Sequence, residues 1–188
     1  MFSATDSTLV IGHRGGAGAA PENTVAAIQH GIAAGADAIE FDIHATRDDQ
    51  IVVIHDDTLE RTTDGTGTVE ELTLDELRQF DAGYRFTPDL GRSFPFRGTG
   101  VGIPTLEEAV EACDGRPIVC VIKTPRAGQA LAAWLPGKPV RERMIVGGFD
   151  IDDVRPAASV AGWRCASRRD LTPFVLRGKL GIPARMSA

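Results

Sequence analysis

The amino-acid sequence predicts an α/β domain built on a largely parallel sheet. Three observations carry this. Short apolar runs at residues 9–12, 37–43, 51–55, 117–123 and 144–149 read as strands. Helical stretches lie between most of them, and alternating strands and helices make a parallel α/β sheet. Polar side chains able to do chemistry gather where the runs end, at His13, Asp42, His55 and Lys123. In parallel α/β folds the carboxyl ends of strands carry the active site.

The elements follow in order. Leu9-Val10-Ile11 ends in glycine and reads as a buried strand. Asn23 or Thr24 can cap a helix running to about Ala34, which Gly35 stops. In residues 37–43, Ile39, Phe41 and Ile43 alternate with Glu40 and Asp42, the period of a strand. Residues 47–50 make a turn before the strand at 51–55. Residues 56–103 are rich in Asp, Thr, Gly and Phe, with one helix predicted at 73–80. A connection of that length points to function rather than to a plain linker. Beyond it the sequence predicts helices at 104–113 and 127–135, strands at 117–123 and 144–149, a partly helical stretch at 150–159 and a weak strand at 162–167. Residues 1–188 are expected to form a single domain, with 56–103 as an insertion at its substrate side.

Composition narrows the partners. The net charge is −6, which argues against a general nucleic-acid or anionic-membrane surface. An anionic substrate then needs a local pocket of basic residues. Three cysteines, Cys113, Cys120 and Cys165, show no CxxC spacing, which suits a reduced compartment. The first eight residues carry no basic n-region, and no apolar run approaches the roughly 20 residues of a membrane span. A cytoplasmic protein without a membrane span is the expectation.

Glu40 and Asp42 stand two apart on one strand, so both point to one face. Two carboxylates on a buried face repel each other, and hard oxygen ligands suit Mg²⁺ or Ca²⁺; solvated acids on an exposed edge are the alternative. His13 and His55 each close an apolar strand and could act as general base and general acid. Arg14 and Lys123 supply positive charge suited to a phosphoryl group. The run at Gly16 and Gly18 fails the dinucleotide pattern at Pro21, and no P-loop is present. His30 and His44 are left outside the site, and Phe86, Phe94 and Phe96 are read as packing the insertion.

Three motifs occur in sequence: "GHRGG…PENT" from residue 12, "GADAIEFDIHATRDDQIVVIHDDTLERTTDGTG" from residue 35 and "GIPTLEEAV" from residue 102. Together they resemble the glycerophosphodiester phosphodiesterases over about residues 9–124, with a weaker echo at "RMIVGGFD". The resemblance implies a TIM-type (β/α) barrel, a divalent cation (Mg²⁺ or Ca²⁺), and hydrolysis of glycerophosphodiesters to sn-glycerol 3-phosphate and an alcohol. It places His13 and His55 on the catalytic histidines, Arg14 on the phosphate-binding arginine, Glu40 and Asp42 on two metal ligands, and Lys123 on the lysine of a Glu-Ile-Lys motif.

Two departures stand out. Val121 occupies the place of the family's glutamate, normally a third metal ligand. A TIM barrel typically takes about 250 residues, whereas this sequence yields about six strands and a tail at 169–188 unlike the family's last strands. The expectation is a barrel truncated after about six strands, its tail beyond about residue 168 loosely packed. Unpaired edges of such a sheet favour self-association. A non-catalytic relative that binds glycerophosphodiesters or a protein partner is the alternative, and a phosphodiester lyase of the sphingomyelinase D kind is a third reading.

Overall fold

A computed structural model describes residues 9–161 and the backbone of 163–164. The elements are β1 (Ile11–Gly12), α1 (Val25–Ala33), β2 (Ala38–Ala45), β3 (Ile51–Val53), α2 (Leu74–Leu77), α3 (Leu106–Ala112), β4 (Ile118–Ile122), α4 (Pro125–Trp134), β5 (Met144–Gly148), α5 (Ile151–Ala158) and β6 (Trp163–Arg164).

β2 is the centre of a six-stranded sheet. One edge pairs in parallel with β4, from Ile39 opposite Ile118 to Ile43 opposite Ile122. The other edge is shared. β1 runs parallel to the start of β2, with Ile11 opposite Ala38, and β3 folds back antiparallel on its end, with Ile43 opposite Val53. β5 and β6 extend the sheet beyond β4, both parallel. Among the described residues the sheet is open, so the α/β barrel expectation holds as a run of strands without closure. The tail beyond residue 168 lies outside the described residues.

Alternation along β2 produces two different faces. Ile39, Phe41 and Ile43 are fully buried with Ile118, Cys120, Ile122 and Val146. Helices α1, α3, α4 and α5 cover this face through Ile28, Leu106, Leu131 and Val154. Glu40 and Asp42 point to the other face, in register with Val119 and Val121. Truncating a fully buried phenylalanine such as Phe41 to alanine typically costs about 3–5 kcal/mol.

Helix signals acted where they stood. The Thr24 hydroxyl accepts from the Ala27 N–H at 3.2 Å to cap α1, and Gly35 follows its end at φ +93°. Thr124 caps α4, which begins at Pro125, two residues before the predicted start, because proline suits a helix's first turn. Gly31 of α1 meets the loop after β1: a Cβ there would lie 2.0 Å from the Gly15 carbonyl oxygen. That contact seats the loop carrying His13 and Arg14 against the helix.

Three expectations need correcting. The run at 51–55 is a three-residue hairpin return, not a further parallel strand. The connection from Ala45 to Ile51 is too short for a crossover, which needs about a dozen residues or more. The run at 9–11 is not buried, since Leu9, Val10 and Ile11 are 40–56% exposed. Among the described residues β1 is an edge strand, with no strand beyond it to cover its apolar side chains. The helix at 73–80 is only the turn Leu74–Leu77. The chain leaves it so that Phe80 packs over Gly65 and the Ala82 N–H reaches the Val101 carbonyl at 2.8 Å. The insertion forms its own small core from Leu59, Val69, Leu77, Ala82 and Ile103 against Val52 and Ile54 of the hairpin. Phe86 and Phe96 meet edge to face at 5.4 Å, as packing residues do.

Candidate active site

The loop after β1 is clamped to β2. Arg14 (φ +50°) and Gly15 (φ +85°) are both left-handed, which reverses the chain sharply. The Arg14 N–H donates to the Glu40 carboxylate at 2.7 Å, and the Gly15 N–H to the Glu40 carbonyl at 2.9 Å. His13 projects from this turn with its side chain largely exposed and Nε2 4.0 Å from Glu40 Oε2. Burial raises the Glu40 carboxyl above its usual range; the Arg14 N–H opposes that shift and the Asp42 charge adds to it.

Asp42 is buried and held on every side. Lys123 Nζ lies 2.9 Å from Oδ1, the Asn23 amide donates to Oδ2 at 2.9 Å, and the Asp42 N–H donates to Asn23 Oδ1 at 3.1 Å. Asn23 itself is left-handed at φ +58°. A strained residue fixed at both ends of its amide marks a place the fold over-determines. Arg14 Nε sits 3.8 Å from Asp42 Oδ2, buried and without a hydrogen-bond partner.

His55 follows the hairpin strand. Its Nδ1 lies 2.5 Å from Asp56 Oδ1. A carboxylate only accepts, so Nδ1 carries the proton and Nε2 is left bare in the neutral ring. Arg61 reaches from the insertion to both Asp56 and Glu22, and Glu22 in turn receives Arg14 Nη1 at 2.7 Å. The arginine hydrogen bond, then His55, holds the Asp56 carboxyl down at about 2, overriding its burial. Burial would raise Glu22, but Arg61 and Arg14 keep it below its usual range.

The structure thus joins Arg14, Glu40, Asp42 and Lys123 by direct contact, sets His13 beside Glu40, and ties His55 to Arg14 through a chain of charges. Glu22, Asn23, Asp56 and Arg61 are members that the spacing of strands did not reveal. Each sits inside a quoted motif, "PENT" or "HDDTLERTT", which was the signal available. His44 lies within β2 rather than one step beyond it, and its Nε2 donates to the His55 carbonyl at 3.3 Å. Burial lowers its basicity, so it fastens the His55 backbone as a neutral ring. Among the described residues no three His, Cys, Asp or Glu side chains form a metal-binding group. The hard donors on this face are Glu40 and Asp42, and Val121 stands opposite Asp42 where a third acid would point.

Residues 13–155 match the model of the glycerophosphoryl diester phosphodiesterase family. The chain belongs to that family. A glycerophosphodiester phosphodiesterase of Caldanaerobacter subterraneus is 36% identical over 162 residues, 82% of this chain and 63% of the relative. The glycerophosphoryl diester phosphodiesterase domain of a Mycobacterium tuberculosis protein superposes with a TM-score of 0.85 at 29% identity, covering 93% of this chain and 65% of that one. An Oleispira antarctica phosphodiesterase, solved with the product sn-glycerol-3-phosphate, gives a TM-score of 0.71 at 26% identity over 93% of this chain and 72% of its own. The chain spans less than two thirds of the length of the first two of these glycerophosphoryl diester phosphodiesterases. The stretch from His13 to Thr24 and β2, which carry the Arg14–Glu40–Asp42 contacts, lie within the family match.

Proposed function

We propose that this chain hydrolyses glycerophosphodiesters to sn-glycerol 3-phosphate and an alcohol with the help of a divalent cation, Mg²⁺ or Ca²⁺, in the cytoplasm. The observation that supports this most is the buried Arg14 Nε, which has no hydrogen-bond partner and sits 3.8 Å from Asp42 on a guanidinium whose Nη1 meets Glu22. A phosphoryl oxygen is the kind of acceptor that satisfies such a donor.

Glu40 and Asp42 are the residues that would hold the cation. Their hard oxygens suit it, since Mg²⁺ is often bound by one or two carboxylates plus water and substrate phosphate. When bound, the cation neutralises charge on the phosphoryl oxygens. Arg14 and Lys123 are the phosphate-side cations. His55, its imidazolium stabilised by Asp56, is the general base that takes a proton from the glycerol hydroxyl attacking phosphorus. His13 protonates the departing alkoxide. The resulting cyclic phosphate opens when water attacks, with the two imidazoles exchanging roles. Arg14 supports charge on the phosphoryl oxygens in both steps.

The test is release of glycerol 3-phosphate from glycerophosphocholine, with Mg²⁺, with Ca²⁺ and with EDTA, by the parent and by His13→Ala and His55→Ala. General acid–base groups contribute about 10²–10⁴-fold, so both variants are expected to lose that much and stay folded. Val121, standing where it adds no third carboxylate, favours one alternative: a relative that binds glycerophosphodiesters without cleaving them. Saturable binding with no release of product in any metal supports that alternative. The cytoplasmic part rests on Cys113 and Cys120, both free and buried. Among the described residues no helix is long and apolar enough to cross a membrane.

A further inference from the structure

Two further acids stand beside the proposed catalytic groups. Glu22 contacts Arg14, and Asp56 contacts His55. Unbalanced, each would repel a bound phosphate, and the whole Glu22 charge would fall on the Arg14 guanidinium that it already meets. Arg61 meets both. It donates to Glu22 at 2.8 and 2.6 Å and to Asp56 at 2.5 and 3.1 Å, a fork on each carboxylate. Its place in the insertion, 39 residues from Glu22, makes it the clasp between the loop after β1 and the loop after β3. A lysine could not do this, because a single ammonium cannot present a planar fork to two carboxylates at once.

We propose that Arg61 is a positioning residue: it shares the Glu22 carboxylate with Arg14 and pins Asp56 on His55, so that Arg14 keeps charge for phosphate and His55 keeps one tautomer. The proposal rests on the phosphodiesterase reading for its ligand. Without Arg61, the Glu22 charge falls on Arg14 alone and competes with phosphate. Asp56 becomes free to turn from the imidazole. Neutralising Glu22 as well removes the competitor, so the second substitution should repair phosphate binding even though it deletes another contact. A clasp that only stabilised the fold would show the opposite, the two losses adding.

The experiment measures calorimetric binding of sn-glycerol 3-phosphate and the ¹⁵N imidazole spectrum of His55, assigned with His55→Gln. Arg61→Gln is expected to weaken binding roughly tenfold, equivalent to about 1.4 kcal/mol, and to convert His55 from the Nδ1–H form to a tautomer mixture. Glu22→Gln/Arg61→Gln is expected to restore affinity while leaving His55 mixed. Arg61→Lys should fall between parent and Arg61→Gln, and it carries the test if the neutral variant unfolds. Parent-like affinity and a parent-like His55 spectrum in Arg61→Gln or Arg61→Lys overturn the proposal, as does a double variant that binds more weakly than the single one. A parent that does not bind sn-glycerol 3-phosphate overturns the phosphodiesterase reading instead, and the His55 spectrum then decides the role of Arg61 by itself.

Discussion

Lys123 and Asp42 form a buried ion pair at 2.9 Å, their side chains 8% and 3% exposed. The two residues come from neighbouring strands, with Lys123 one residue past β4 and Asp42 within β2. A cation bound at Asp42 therefore shares that carboxylate with an ammonium. The pair also explains how two acids coexist on this face without unfolding it.

Breaking the pair should be costly. Removing one partner of a buried pair typically destabilises by about 3–5 kcal/mol, because the other charge is left uncompensated. Lys123→Met is expected to lower urea stability by that order, and Asp42→Asn/Lys123→Met to recover most of it. A Lys123→Met variant as stable as the parent shows that the pair does not hold this face together.

Glu40 behaves oppositely to a paired acid. Its carboxyl is raised by burial, so as an anion at neutral pH it opposes folding. Glu40→Gln keeps an oxygen to accept the Arg14 N–H and removes the charge. The metal-free variant is expected to melt about 2–4 °C above the parent, the shift for roughly 1 kcal/mol in a chain of this size. Millimolar Mg²⁺ or Ca²⁺ should raise the parent's melting temperature and leave the variant's unchanged. Equal shifts in both would place the cation away from Glu40.

Val121 stands in register with Asp42, half-buried on the same face. Val121→Glu is expected to tighten Mg²⁺ and Ca²⁺ binding by at least about tenfold, since even changes behind the ligands typically cost 10–100-fold in metal sites. A thermal melt checks the fold and a metal titration checks the site. A folded Val121→Glu that binds no more tightly than the parent argues for the binding-only relative over the enzyme.

Strong acid should loosen the clasp. Asp56, held at about 2, lies below its ordinary value, so the stability it contributes is complete above that ordinary value and is lost as pH falls through about 2. Glu22 is depressed as well and acts in the same direction. Melting temperature followed from about pH 5 down to about pH 2 should fall less steeply in Asp56→Asn than in the parent. Identical slopes would mean that the Asp56 contacts with Arg61 and His55 add nothing to the folded state.

Whatever depends on near neighbours and on period is legible in the chain. Thr24 and Gly35 bounded α1, and the alternation of Ile39, Phe41 and Ile43 fixed which way Glu40 and Asp42 point. The motifs around His13, Arg14 and His55 named the family, because each motif is a contiguous stretch of chain. Which charges meet depends on the packed fold. Glu22 could have paired with any of the arginines, and it meets Arg14 and Arg61 because the insertion folds back over the loop after β1. β1 reads like a core strand and lies exposed, since burial depends on what stands beside it. An ion pair leaves no trace in the local pattern of either partner: its energy depends on a distance in space, and that distance exists only once the elements between the two residues have packed.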